Sequence, residues 1–197
     1  MRHPLVRVAI ILLLTAGCLG SEEPNDSDST SATDTASATP DPSEMVVRPG
    51  RVGEAAVGLS KVEAIATGLF DADVDGVKEG CKDQLRWKSQ YTGLDVQYDK
   101  KGTITSIGVT KGGPKTSKDV GVGSTLAQVQ AAYPNISPVA ELGFEQAGAI
   151  QADGDKYIGF LFGDAKLETV NPESKVTFME VTSGSKPKLQ RGGCECE

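Results

Sequence analysis

The stretches GLSKVEA (Gly58–Ala64) and GSTLAQV (Gly123–Val129) decide the predicted fold, because they share the form G-x-[ST]-x-x-[EQ]-[AV]. In each copy a hydroxyl residue is followed three positions later by Glu or Gln, which is the pattern of a capping box at the start of a helix. Gly68 and Pro134 predict where the two helices end. The chain therefore contains an internal repeat, and each copy begins with a short helix.

Strand-like segments follow both predicted helices, and in the first two of them apolar and polar residues alternate with period two. In the first copy they are LRWKSQY (85–91), GLDVQYD (93–99) and TITSIGV (103–109); in the second they are GFEQAGAI (143–150), KYIGFLF (156–162) and KVTFMEV (175–181). Turn residues at Lys100–Gly102 and Asp153–Asp155 predict hairpins. We therefore predict an α+β fold in which two tandem helix-plus-antiparallel-strand repeats, residues 46–115 and 116–197, form one layered domain.

These segments resemble a known family. GLSKVEA, the loop residue Cys81 and TSKDVGVGSTLAQVQAAYP (Thr116–Pro134) resemble motifs of secreted lipoproteins of high-GC Gram-positive bacteria. More remotely, the plan resembles the tandem-repeat β-lactamase inhibitory proteins, and the resemblance covers residues 47–183. It implies one continuous sheet whose exposed face meets a partner. It implies no reaction, because a fold alone does not confer one.

The N-terminus has the layout of an export signal. Arg2 and Arg7 precede an apolar run, Val8–Leu14. This run is shorter than the roughly 20 apolar residues that a membrane span needs. Small residues then lead to Cys18, as in a lipoprotein signal. We therefore predict that residues 1–17 are a signal peptide and that acylated Cys18 anchors the protein to the outer face of the cytoplasmic membrane, exposed to the extracellular side. The alternative is an ordinary secreted protein.

Residues 18–45 are predicted to be a disordered tether that follows the lipid anchor. Ser21–Glu44 contains seven acidic residues and no Lys or Arg, and such a composition has too little apolar surface to fold. Residues 45–197 carry 18 basic and 20 acidic residues. Since this balance offers no basic surface, we expect no nucleic-acid partner.

Three cysteines remain besides the lipidation candidate: Cys81, Cys194 and Cys196. A bridge between Cys194 and Cys196 would be strained, because a single residue separates them. We expect Cys81 to pair with one of these two, and the loop-entropy model gives such a bridge about 4 to 5 kcal/mol. Which of the two it joins stays open. The alternative is that the C-terminal cysteines bind a soft metal or stay free.

Catalytic chemistry is restricted by the histidine content. The single histidine, His3, lies in the predicted signal peptide, so the mature chain has no imidazole for a Ser-His-Asp triad, a Cys-His pair or a zinc site. KGGPK (Lys111–Lys115) lacks the spacing of a phosphate-binding loop. We therefore predict that the protein is not an enzyme. A glycosidase with paired carboxylates is the alternative, because acidic residues are plentiful.

The D-x-D-x-D-G pattern that follows Phe70 is typical of the start of a calcium loop. Its ligands would be Asp71, Asp73, Asp75 and Glu79. Lys82 stands where such a loop needs a bidentate Glu, which weakens the predicted site. A calcium-binding structural module at the cell surface is therefore the second functional hypothesis, and no other cofactor is expected. A solvated acidic turn is the alternative interpretation of this loop.

A binding surface is predicted on the polar side of the first-copy strands. It would consist of Arg86 and Lys88 against Asp95 and Asp99; simple cross-strand ion pairs are the alternative. The aromatic residues Trp87, Tyr91, Tyr98, Tyr157, Phe160, Phe162 and Phe178 are expected mostly on the apolar side, in the core. The functional hypothesis is a membrane-anchored, extracytoplasmic, non-enzymatic module that binds an unidentified envelope protein or cell-wall component.

Overall fold

A computed structural model describes residues 40–71, 85–163 and 165–190. All of them belong to one compact unit of the chain. Several predicted sites lie outside the described residues: the lipidation residue Cys18, the calcium ligands Asp73, Asp75 and Glu79, and the disulfide candidates Cys81, Cys194 and Cys196.

The described residues form short helices and three sheets. In chain order the elements are β1 (Val47–Arg48), β2 (Arg51–Val52), β3 (Ala55–Ala56), α1 (Lys61–Ala66), β4 (Phe70–Asp71), β5 (Arg86–Trp87), β6 (Leu94–Tyr98), β7 (Ile104–Val109), α2 (Leu126–Ala132), β8 (Ala140–Leu142), β9 (Gln146–Asp153), β10 (Lys156–Phe162) and β11 (Val176–Ser183), after a 3₁₀ turn at Pro42–Glu44. The main sheet has the order β6-β7-β11-β10-β9-β8, and all its neighbours are antiparallel. β1-β2-β3 and β4-β5 form two smaller sheets.

The predicted α+β class is wrong. Strands account for 36% of the described residues and helices for 12%, and α1 and α2 have only six and seven residues. Gly68, with φ of +75°, and Pro134 end the two helices within two turns. Helices of this length depend on tertiary packing. The fold is therefore a β-sheet protein on which the helices are small additions.

The two copies also differ in their strands. In the second copy β9, β10 and β11 form the predicted antiparallel hairpins. In the first copy only β6 and β7 enter the main sheet. The Lys88 N–H donates to the Leu69 carbonyl at 3.0 Å, in register with β4. The segment 85–91 then shortens to β5, because the Tyr91 N–H donates to the Lys88 carbonyl at 2.9 Å and closes a turn. The chain turns there, and β5 pairs with β4.

The repeated motif is nevertheless structurally equivalent at its start. Both capping boxes are confirmed, with Ser60 and Glu63 on α1 and Thr125 and Gln128 on α2. The motif glycines Gly58 and Gly123 have φ of +98° and +97°. Each motif also exchanges two backbone hydrogen bonds with the first residue of a later strand: Gly58 and Leu59 with Ile104, and Gly123 and Ser124 with Val176, at 2.7–2.8 Å. The motif therefore caps a helix and fixes the start of β7 or β11.

The first face of the main sheet carries the core. Ile107, Val109, Phe160, Met179 and Val181 are fully buried there, in one cluster with residues of both helices. Tyr133, at the end of α2, packs on Phe160 with 5.7 Å between ring centroids. The predicted burial of Trp87, Tyr91, Phe160, Phe162 and Phe178 is confirmed, whereas Tyr98 and Tyr157 are half-buried.

Candidate functional site

The predicted cationic half of the binding surface lies at the small β4-β5 sheet. Arg86 is exposed in β5 and lies opposite Asp71, the first predicted calcium ligand. Lys88 follows β5 and is half-buried. Asp71 is the one predicted ligand within the described residues, and among those residues no group of three or more His, Cys, Asp or Glu side chains could hold a metal ion.

The predicted acidic half lies on and after β6. Asp95 is opposite Gly108 of β7 rather than a residue of β5. Asp99 begins the hairpin turn, where its Oδ1 accepts the N–H of Lys101 at 2.8 Å and of Thr103 at 3.0 Å. The hydrogen bonds from the Thr103 and Lys101 backbone hold the pKa of Asp99 below its usual value. Asp99 therefore shapes a turn, and no strand register in the described sheets places it opposite Arg86.

The second face of the main sheet carries a groove that the sequence reasoning missed. An added Cβ at Gly159 would lie 2.8 Å from both Leu189 Cδ2 and Pro187 Cβ, and one at Gly148 would lie 3.0 Å from Leu189 Cδ1. Since real Cβ atoms do not approach so closely, the two strand glycines make room for residues that follow β11. We call this space the tail groove, and we call residues 185–190, which fill it, the tail segment.

The tail segment inserts apolar side chains into the groove. Leu189 is only 1% exposed and packs with Leu161 and Phe178 of the second face, with Leu142 at the edge of the cluster. Its φ is +55°, a left-handed conformation that costs a non-glycine residue about 1–2 kcal/mol. Pro187 is also buried. The groove therefore holds a short irregular segment by two buried anchors spaced two residues apart.

A buried carboxylate lies beneath this peptide. Glu180 of β11 is 5% exposed, and its Oε2 accepts the N–H of Leu189. Thr182, two residues on along the same face, donates its hydroxyl to the Ser185 carbonyl at 2.6 Å. Burial raises the pKa of Glu180, although hydrogen bonds from the Leu189 backbone and the Ser106 hydroxyl act in the opposite direction. Among the described residues this is the only buried charged side chain.

The loop between β8 and β9 exposes an aromatic side chain. Gly143, Phe144 and Glu145 have φ of +42°, +55° and +65°, so segment 143–150, predicted as a strand, begins as a left-handed loop. Phe144 is 72% exposed. Lys166 Nζ lies 4.0 Å from Glu145 Oε2, and the next residue, Leu167, is 42% exposed. We call Phe144, Glu145 and Leu167 the hairpin tip.

The sequence contained a partial signal for the groove. Gly148 and Gly159 interrupt strand patterns, and a glycine inside a strand marks a close backbone approach. The approaching residues could not be found, because Leu189 lies 41 positions after Gly148 and 30 positions after Gly159. The sequence reasoning missed the hairpin tip, because Phe144 and Glu145 fall within the segment predicted as a strand, 143–150.

Comparison with known proteins finds no matching family model, no matching curated protein and no matching solved structure. Within the part of the chain that the structure describes, no helix combines the length and the apolar character required to cross a bilayer.

Proposed function

We propose that the chain is a membrane-anchored, extracytoplasmic binding module without catalytic activity, which holds an envelope protein or cell-wall component through the hairpin tip. The observation that carries this proposal is Phe144. Its aromatic ring is 72% exposed on a backbone with φ of +55°. Large aromatic side chains dominate the energetics of interfaces.

The conformation of Phe144 and Glu145 supports a binding role, whereas Gly143 has a structural role, because an added Cβ there would meet the Leu189 carbonyl. Three consecutive left-handed residues are cheapest as Gly, Asn or Asp, yet the chain places Phe144 and Glu145 there. Such strain is typical of sites where function sets the residue. The second apolar side chain, Leu167, and the Glu145–Lys166 pair give the surface an apolar centre with charged neighbours, the usual anatomy of an interface.

The arrangement of the N-terminal region supports display away from the membrane. The predicted anchor Cys18 and the acidic residues after it would lead to Pro40, whose carbonyl accepts the Tyr91 hydroxyl at 2.6 Å. Met45, shortly afterwards, is 6% exposed. The tether proposed for residues 18–45 would therefore join the folded unit from Pro40 onward.

The experiment measures binding of the purified mature chain to washed envelopes of the source bacterium over a concentration series. Saturable binding is expected, and Phe144→Ser should weaken it about 30-fold or more, the effect of losing a hot spot worth about 2 kcal/mol. Val62→Ser is the matched control, because Val62 on α1 is 78% exposed and unrelated to the tip. Protease treatment of the envelopes separates a protein partner from a cell-wall component.

Two results would contradict the proposal. One is the absence of saturable binding. The other is an equal loss of affinity in the Phe144→Ser and Val62→Ser variants, since that would reflect general surface hydrophobicity.

Calcium binding by the loop that starts at Asp71 stays a prediction. Trp87 is the only tryptophan of the chain and lies opposite Phe70, with 4.3 Å between ring centroids. Its fluorescence should therefore report calcium binding next to β4. A millimolar titration that changes the fluorescence of the wild type, but not of Asp73→Ala, is expected; Asp153→Ala, in the β9-β10 hairpin, serves as control. Identical traces for the wild type and Asp73→Ala would reject the site.

A further inference from the structure

We infer that the tail groove is a peptide-binding site whose resident occupant is the chain's own tail segment, and that it accepts from a partner protein a short basic peptide with proline and leucine two residues apart. This site lies on the second face of the main sheet, and the loop of the hairpin tip contacts the tail segment at Gly143, where an added Cβ would meet the Leu189 carbonyl.

The shape of the groove matches this peptide class. Leu189 and Pro187 occupy space that exists only because Gly148 and Gly159 lack side chains. Leu161 and Phe178 form the apolar walls against Leu189. The two anchors point to the same side of the segment, because Pro187 and Leu189 both lie against Gly159. A ligand with the same spacing would present its proline and leucine in the same way.

The polar groups of the groove favour a basic peptide. Glu180 accepts the N–H of Leu189. In a bound peptide it would accept the backbone N–H of the leucine in the same way. Lys188 interacts electrostatically with Glu180, and Lys186 is exposed on the same segment. Asp95 extends the acidic character of this face along β6, beside Gly108. A buried carboxylate with a second acid nearby complements lysines that flank the anchors.

The tail segment can leave without dismantling the sheet. Among the described residues, the backbone of 186–190 forms no backbone–backbone hydrogen bond with the sheet. The segment begins after Gly184, which has φ of +74° and an exposed position with open space around it. Leu189 is bound in a left-handed conformation that a released segment would not keep. These features permit exchange between the resident segment and a partner peptide.

The test uses a fluorescein-labelled peptide with the sequence of residues 185–190, SKPKLQ, and measures fluorescence anisotropy with the full mature chain. In the wild type the resident segment competes, so binding should be weak. Leu189→Ala weakens that competitor, and the peptide should bind this variant at least tenfold more tightly. Val62→Ser should behave as wild type. The same peptide with alanine in place of proline and leucine should bind none of the chains.

Adding Glu180→Leu to Leu189→Ala should abolish the gain, because the acceptor for the peptide backbone is lost. The inference is overturned if Leu189→Ala, with a native circular dichroism spectrum and native Trp87 fluorescence, binds the peptide no better than wild type. If Leu189→Ala does not fold, Pro187→Ala replaces it with the same expected direction and the same contradicting result. A wild-type dimer that added peptide dissociates would assign the groove to a second copy of the chain and contradict a partner protein.

Discussion

The two faces of the main sheet are covered in different ways. The first face presents large apolar side chains to a core that also contains residues of α1 and α2. Phe160 and Met179 are examples, and both are fully buried. The second face presents Gly148, Gly159 and the carboxylate Glu180, and part of it is covered by a six-residue segment. The first face therefore contributes most of the stability of the fold, whereas the second face has the form of the peptide-binding site that we infer.

The largest expected effect tests this division directly. Phe160→Ala on the first face should lower the free energy of unfolding by about 3–5 kcal/mol, because it leaves a cavity in a packed core. Leu189→Ala on the second face should lower the free energy of unfolding by less than about 2 kcal/mol. The loss is limited because the tail segment can detach locally while the sheet stays folded. Urea unfolding of both variants measures the difference. Equal losses would mean that the tail segment belongs to the core.

Gly159→Ala tests the second face by changing the sheet rather than the tail segment. The new methyl group would lie 2.8 Å from Leu189 Cδ2 and Pro187 Cβ, and overpacking of this kind costs about 1–3 kcal/mol. The tail segment should move away from the sheet, because it is held less firmly than the strands. Tryptic cleavage after Lys188 should then be faster than in wild type. Gly154→Asn, in the open β9-β10 turn where φ is +61°, should leave the cleavage rate unchanged, because Asn tolerates this conformation.

The helix caps probe how much the first face depends on its helices. Ser60→Ala and Thr125→Ala each remove one side of a capping box and should lower the free energy of unfolding by about 1 kcal/mol. Thermal unfolding measures both losses, and the equivalent geometry of the two motifs predicts similar values. A loss confined to one variant would show that the two copies are not energetically equivalent.

The smallest expected effect is a pH dependence on the second face. Because burial raises the pKa of Glu180 above its ordinary value of 4.5, its contribution to stability is fully present below that value. The contribution is lost as pH rises through the raised pKa. Glu180→Gln removes this titration and keeps an acceptor for the Leu189 N–H.

The stability of wild type relative to Glu180→Gln should therefore fall as pH rises from 4.5. Lys188 and Asp95 on the same face stay unchanged in this comparison, so the difference isolates Glu180. Urea unfolding across a pH series measures it. A flat difference would contradict the burial of this carboxylate.

Local features of the fold were predictable from the sequence. Both capping boxes, the helix ends at Gly68 and Pro134, and the hairpin turns near Gly102 and Gly154 follow from the conformational preferences of a few residues. The segment 85–91 was not predictable, because its alternation continues through Ser89 while a hydrogen bond from the Tyr91 N–H to the Lys88 carbonyl turns the chain. The pairing of β5 with β4 also depends on residues far apart in sequence.

The candidate sites were less predictable than the fold, for the same reason. Arg86 and Asp95 alternate as a strand pair would, but their strands pair with other partners. The tail groove depends on contacts of Leu189 with Gly159 and Gly148, which precede it by 30 and 41 positions. Glycine positions within strands were the one available signal, and they identify a close approach without identifying what approaches.

Hydrogen exchange at the Leu189 amide, followed by NMR, tests the central claim most directly, because this N–H is donated to Glu180 beneath the tail segment. The predicted result is clear protection, at a level below that of the β10 and β11 amides, since the segment opens locally while the sheet stays folded. Exchange at the rate of an unstructured peptide would contradict a filled groove, and protection equal to that of β10 would contradict an exchangeable occupant.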